Sequence, residues 1–152
     1  MAIKKSTQIQ KELDKNKAIA RRYCQVWSKG DLSIIDELAS PEITVYFPAM
    51  PQVIKGIAAL KDYYRRFPSL FGDGEIKVEE EIAEGDKVVL RWSFSCIHLG
   101  AFGIPAAGKR LKWTGISIYR IVGGKVVDEK GEEDYYGVFR DLGLLPKPST
   151  HE

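Results

Sequence analysis

The sequence predicts one α+β domain, with helices first and a twisted, strongly curved antiparallel sheet after them. Three observations carry this. Up to Pro68 the apolar residues recur at helical spacing in separate segments, with one short strand among them. From Glu75 the period falls to that of strands. Turn signals, Glu84-Gly85-Asp86 and Gly123-Gly124, join the alternating runs as hairpins. At 152 residues the chain fits a single domain spanning 1–152, with 1–6 and 146–152 expected as tails.

In order, Ser6 or Thr7 is expected to cap a first helix bearing Ile9, Leu13, Ala20, Tyr23 and Trp27, terminated by Gly30. Asp31 starts a second, short helix with Leu32, Ile35 and Leu38 inward, stopped by Pro41. EITVYFP reads as a strand ended by Pro48, and IAALKDYYRRF as a third helix stopped before Pro68. GEIKVEEEIAEGDKVVLRWSFSCIHLG forms the first hairpin; LKWTGISIYRI and KVVDEKGEE form the second. Between them, GAFGIPAAGKR is too irregular for a strand and too apolar for a solvated linker, so it is expected to rim or cover a mouth.

Composition excludes several functions. The formal charge of +2 comes from 23 bases and 21 acids spread along the chain, so no field of one sign recruits nucleic acid or an anionic membrane. Cys24 and Cys96 lack partners at ligand spacing and read as reduced packing residues, which implies no metal and no disulfide framework. Neither a signal peptide nor an apolar run of roughly 20 residues is visible, so a soluble, cytoplasmic protein is expected. A nucleophile elbow, a phosphate-binding loop and a dinucleotide fingerprint are all missing, and no cofactor is expected.

The most informative stretch is GKVVDEKGEEDYYGVFRDLGLL, residues 124–145. Strict alternation points Val126, Asp128, Lys130, Glu132 and Asp134 one way, and Val127, Glu129, Gly131 and Glu133 the other. Neither face can be buried without enclosing charge. An ionised carboxylate is costly to bury without a partner, so this strand either faces water or lines a polar site. Alternation also puts Trp92, Phe94, Cys96 and His98 on one face, with His98 ending an apolar row near the rim loop.

NKAIARRYCQVWSKGDLSIIDELASPEI, then EGDKVVLRWSFSCIHLGAFGIPAAGKRLKWTGISIYRIVGGKVVDE, then DYYGVFRDLG carry a resemblance over about Asn16 to Leu145. The chain resembles the SnoaL-like polyketide cyclases within the nuclear-transport-factor-like superfamily. That resemblance implies a cone-shaped α+β fold with a pocket inside, often a homodimer through the sheet, and cofactor-free acid–base chemistry on a small apolar ligand. It implies Asp134, placed before GVFRDLG, as the acid or base, and matches His98 to a frequent H-x-G segment. Relatives often carry His or Asp near Tyr46, whose phenol can donate to a ligand oxygen, and commonly carry Trp where this chain has Lys130. Trp27, Tyr63, Phe67, Phe71, Phe102 and Trp113 are candidate wall residues, and equally ordinary core.

The expected function is thus a cofactor-independent cyclase or isomerase acting on a small apolar oxygenated molecule, with Asp134 as base and acid and His98 assisting. A non-catalytic ligand-binding or dimerisation domain is the alternative. An epoxide-hydrolase-like enzyme, needing Arg91 beside Asp134, is the third. A depressed carboxyl pKa is expected if Lys130 turns inward toward Asp134.

Overall fold

The computed structural model describes residues 2–146, without the side chains of 2–5 and Lys29. Of the expected tail at 146–152, residues 147–152 lie outside the described residues, and residues 2–6 belong to a helix. Helix α1 runs Ala2–Cys24 and breaks at Gln25 into the one-turn α2, Val26–Lys29. Gly30, at φ 61°, closes it in the left-handed conformation that only glycine adopts freely. Asp31 accepts from the Ser33 amide and hydroxyl, starting α3, Ser33–Leu38. Strand β1, Ala39–Tyr46, takes in Pro41, which therefore does not itself stop α3. After the short β2, Ile54–Lys55, helix α4 covers Ile57–Leu70. Pro68 sits inside its last turn, where only a terminal hydrogen bond is forfeited, so α4 outlasts the expected stop.

Strands β3 (Phe71–Glu84), β4 (Lys87–His98), β5 (Arg110–Val122) and β6 (Lys125–Glu133) follow, then helix α5, Tyr135–Asp141. The six strands form one sheet in the order β2-β1-β6-β5-β4-β3. Every pairing is antiparallel except β1 with β6, which run parallel and make the sheet mixed. Register breaks in β3, between Gly72 and Glu75 and between Val78 and Glu80, and another in β1 bend the sheet around its contents. Gly115 permits part of this closeness, since a Cβ there would lie 2.3 Å from the Trp92 ring.

A further break decides which side chains of β6 face inward. Arg120 and Ile121 are consecutive, yet they pair with Asp128 and Val126, leaving Val127 as an extra, bulged residue. Val126 and Glu129 are both buried in consequence, with Gly131 buried and Glu133 half-buried beyond them. Strict alternation from Val126 fails at Val127. Asp128, Lys130 and Glu132 are on the outer side, where Lys130 pairs with Asp128 at 3.4 Å. Inside, the helices close over Val88, Leu90, Trp92, Phe94 and Cys96 of β4 and over the inward row of β5. No helix among the described residues is long and apolar enough to cross a membrane. Cys24 and Cys96 are free and buried, and burial pushes each thiol up to about 12.

Candidate functional site

The concave face of the sheet leaves a hollow of about 240 Å³ near the end of β6. Its walls are aromatic because the sequence puts large rings on the inward positions of helices, strands and the rim loop alike. Trp27 of α2 packs edge-on against Phe47, Tyr63, Tyr64 and Phe67, at 4.7 to 6.3 Å between ring centroids. Phe94 and Trp113, 4.8 Å apart on adjacent strands, form the sheet side. Phe102 reaches in from the rim loop and touches Phe71, Tyr135 and Phe139. Its backbone has φ 61°, an unfavourable conformation for a non-glycine residue, and it is stabilised by these three ring contacts.

One carboxyl lines this hollow, that of Glu133. Trp113 donates its indole N–H to Oε1 at 3.2 Å, and Tyr135 donates its hydroxyl to Oε2. Burial holds the Glu133 carboxyl above the usual range, against the opposing pull of these two donors. No cation lines the hollow among the described residues. The result is a carboxyl that is oriented by neutral donors, partly dehydrated and a better proton acceptor than an exposed glutamate.

Of the expected wall residues, Trp27, Tyr63, Phe67, Phe71, Phe102 and Trp113 all line the hollow. The other expectations are relocated. Asp134 is exposed and caps α5, accepting from the Gly137 amide at 2.9 Å, so its side chain is occupied outside the wall. His98 is fully buried, but Nδ1 accepts from the Ala107 amide at 3.2 Å and Nε2 faces the Ala101 carbonyl at 3.0 Å. Both ring nitrogens therefore hold the rim loop in place and neither enters the hollow. Tyr46 is exposed beside Lys130 in the β1–β6 register. Lys130, facing outward, does not pair with Asp134. Arg91 is exposed on the outer face of β4, so the Arg–Asp grouping of an epoxide-hydrolase-like site is not assembled.

Sequence reasoning missed Glu133 and Tyr135. The available signal was the spacing Glu129-Gly131-Glu133 on one strand face, with a glycine where Phe47 must pass. A Cβ at Gly131 would lie 2.1 Å from the Phe47 ring. Glu129 is the second acid on that face and is wholly enclosed.

The SnoaL-like polyketide cyclase family model matches residues 17–142. This chain belongs to that family. Among curated proteins, the aklanonic acid methyl ester cyclases DnrD of Streptomyces peucetius and DauD of Streptomyces sp. strain C5 are each 43% identical over 47 residues. That match takes in 30% of this chain and 32% and 29% of the two relatives, so the chain spans about a third of the curated cyclases it matches. Among solved structures, TsrD of Streptomyces laurentii is 30% identical with a TM-score of 0.76, over 87% of this chain and 97% of that one. AclR of Streptomyces galilaeus, a proposed hydroxylase, is 27% identical with a TM-score of 0.76, over 91% of each chain. A SnoaL-like protein of Jannaschia sp. CCS1, 20% identical with a TM-score of 0.77 over 88% of this chain and 94% of that one, shares the cone fold.

Proposed function

We propose that the protein is a cofactor-independent acid–base catalyst of ring closure on a small, apolar, oxygenated molecule, with Glu133 as the base. The observation that carries this is one carboxyl set in an aromatic hollow and oriented only by Trp113 and Tyr135. Family membership and the cyclases among its relatives support the reaction class.

The carboxylate takes a proton from a carbon flanked by carbonyls. The resulting enolate carbon bonds to a second carbonyl carbon of the same molecule, and the C=O electron pair moves to oxygen. Glu133 then returns the proton to that alkoxide, so the acid is regenerated as a base and no atom is gained or lost. The aromatic walls contribute shape and dehydration, and they hold the two reacting carbons close together. An isomerisation uses the same first step and returns the proton to a different carbon.

A test independent of the natural substrate is deuterium uptake at the acidic C–H of aromatic 1,3-dicarbonyl compounds, with aklanonic acid methyl ester included as a cyclisation substrate. The wild type is expected to accelerate exchange, and Glu133→Gln, folded by circular dichroism, to lose about 10²–10⁴-fold of that rate. Equal rates in the two proteins overturn the role of Glu133. Binding without any exchange in the wild type instead identifies a ligand-binding domain without turnover.

A further inference from the structure

Behind the hollow lies a second acid that the mechanism above does not use. Glu129 has 0% exposure and stands on the same face of β6 as Glu133, with Gly131 and the overlying Phe47 ring between them. The groups facing it come from every element packed there: Tyr23 and Cys24 of α1, Trp27 of α2, Tyr63 and Tyr64 of α4, Tyr119 of β5 and Glu133 of its own strand. None is a cation. The Tyr23 and Tyr119 hydroxyls and the Trp27 indole approach the carboxyl and lower its proton affinity somewhat. Yet neither Glu129 oxygen, nor the hydroxyls of Tyr23, Tyr64 and Tyr119, completes a hydrogen bond of ordinary geometry. The approach is real, but the bonds are not formed. A full negative charge there is shut off from bulk solvent and has no counter-ion among the described residues.

We propose that Glu129 and Glu133 act as a coupled acid pair, in which Glu129 keeps its proton at neutral pH and so leaves the single charge to Glu133. This rests on the reading of Glu133 as the pocket base and adds a positioning residue to it. Two ionised carboxylates on one enclosed face repel each other, so each ionisation makes the other harder. Trp27 belongs to both places, lining the hollow and facing Glu129, and it joins the two acids through one rigid ring. Burial, with the Glu133 charge adding to it, pushes Glu129 up to about 8.

The experiment is infrared titration of protein carrying ¹³C-labelled glutamate, following the carboxylic-acid C=O stretch without substrate. Exposed glutamates are ionised well below pH 6.5. The wild type is expected to keep an acid band at pH 6.5 that fades with a midpoint near 8. Glu129→Gln is expected to lose that band. Glu133→Gln is expected to retain it with the midpoint lowered by roughly one pH unit, from a charge four strand residues away, about 13 Å, at moderate dielectric.

Three results overturn the pair: no acid band above pH 6.5, a band lost in Glu133→Gln but kept in Glu129→Gln, or equal midpoints in Glu133→Gln and wild type. Should Glu129→Gln not fold, the comparison of wild type with Glu133→Gln still decides. Turnover plays no part in this readout, so failure of the coupling and failure of Glu133 as a catalyst are separate results.

Discussion

Replacing Glu129 by Gln should stabilise the protein at alkaline pH and do little in mild acid. In the unfolded chain Glu129 titrates near 4.5; in the folded protein, burial raises it to about 8. Between those values the native state holds a proton that the unfolded state has released. The sign follows directly: stability from this group is fully present below about 4.5, falls as pH rises, and stops falling above about 8. The slope is about 1.36 kcal/mol per pH unit, and the full window corresponds to about 5 kcal/mol. From pH 5 to pH 8 the change is about 3–4 kcal/mol.

Gln matches the protonated acid in shape and cannot ionise, so it removes this pH dependence without opening a cavity. Urea unfolding of both proteins at pH 5, 6, 7 and 8 isolates the effect, because the other titrating groups are common to both. The variant should be within about 1 kcal/mol of wild type at pH 5 and about 3 kcal/mol more stable, relative to that offset, at pH 8. A difference that stays flat across the series would mean that Glu129 ionises in the folded state as easily as in water, and the argument from enclosure would fail.

Other expectations follow from the same geometry. Asp134→Ala removes the cap of α5 and should cost about 1 kcal/mol in urea unfolding, while the folded protein keeps its deuterium-exchange activity; a 10²-fold loss would return the base to Asp134. Gly131→Ala places a Cβ 2.1 Å from the Phe47 ring, which must shift against the hollow. A loss of about 1–3 kcal/mol together with weaker ligand binding in a fluorescence titration is expected. His98→Ala strips partners from the Ala101 carbonyl and the Ala107 amide; faster hydrogen exchange at Ala107 and a loss of about 1–3 kcal/mol should result, with Glu133 chemistry retained.

Local signals made much of the fold legible. Gly30 ends the first helical stretch, the hairpin turns fall at Gly85-Asp86 and Gly123-Gly124, and Trp92, Phe94, Cys96 and His98 do share one buried face. The parallel pairing of β1 with β6 joins segments about eighty residues apart and leaves no trace in either alone. The site was harder to read for a related reason. A single bulged residue, Val127, reverses the inward parity expected from the apolar Val126, and nothing in a run of charged residues marks it. The resemblance pointed to Asp134, whereas the acid that lines the hollow is its neighbour Glu133. A cap at Asp134 and a wall position at Glu133 differ by one residue and are told apart only by the direction in which β6 ends. The tyrosines around Glu129 come from α1, α4 and β5, so only the assembled fold brings them together.

Lys130 explains why direction matters more here than composition. An inward ammonium beside either acid would favour the carboxylate, lower its proton affinity and weaken it as a base. The bulge sends that cation outward to Asp128 and leaves both inner acids facing phenols, indoles and rings. Neutral donors can fix the orientation of a carboxylate without a nearby positive charge, so Glu133 is held in place while burial still raises its affinity for a proton. The side chain at position 130 faces water and is no part of the chemistry proposed. What the proposed chemistry requires is the extra residue at Val127, which sets the facing of every acid after it.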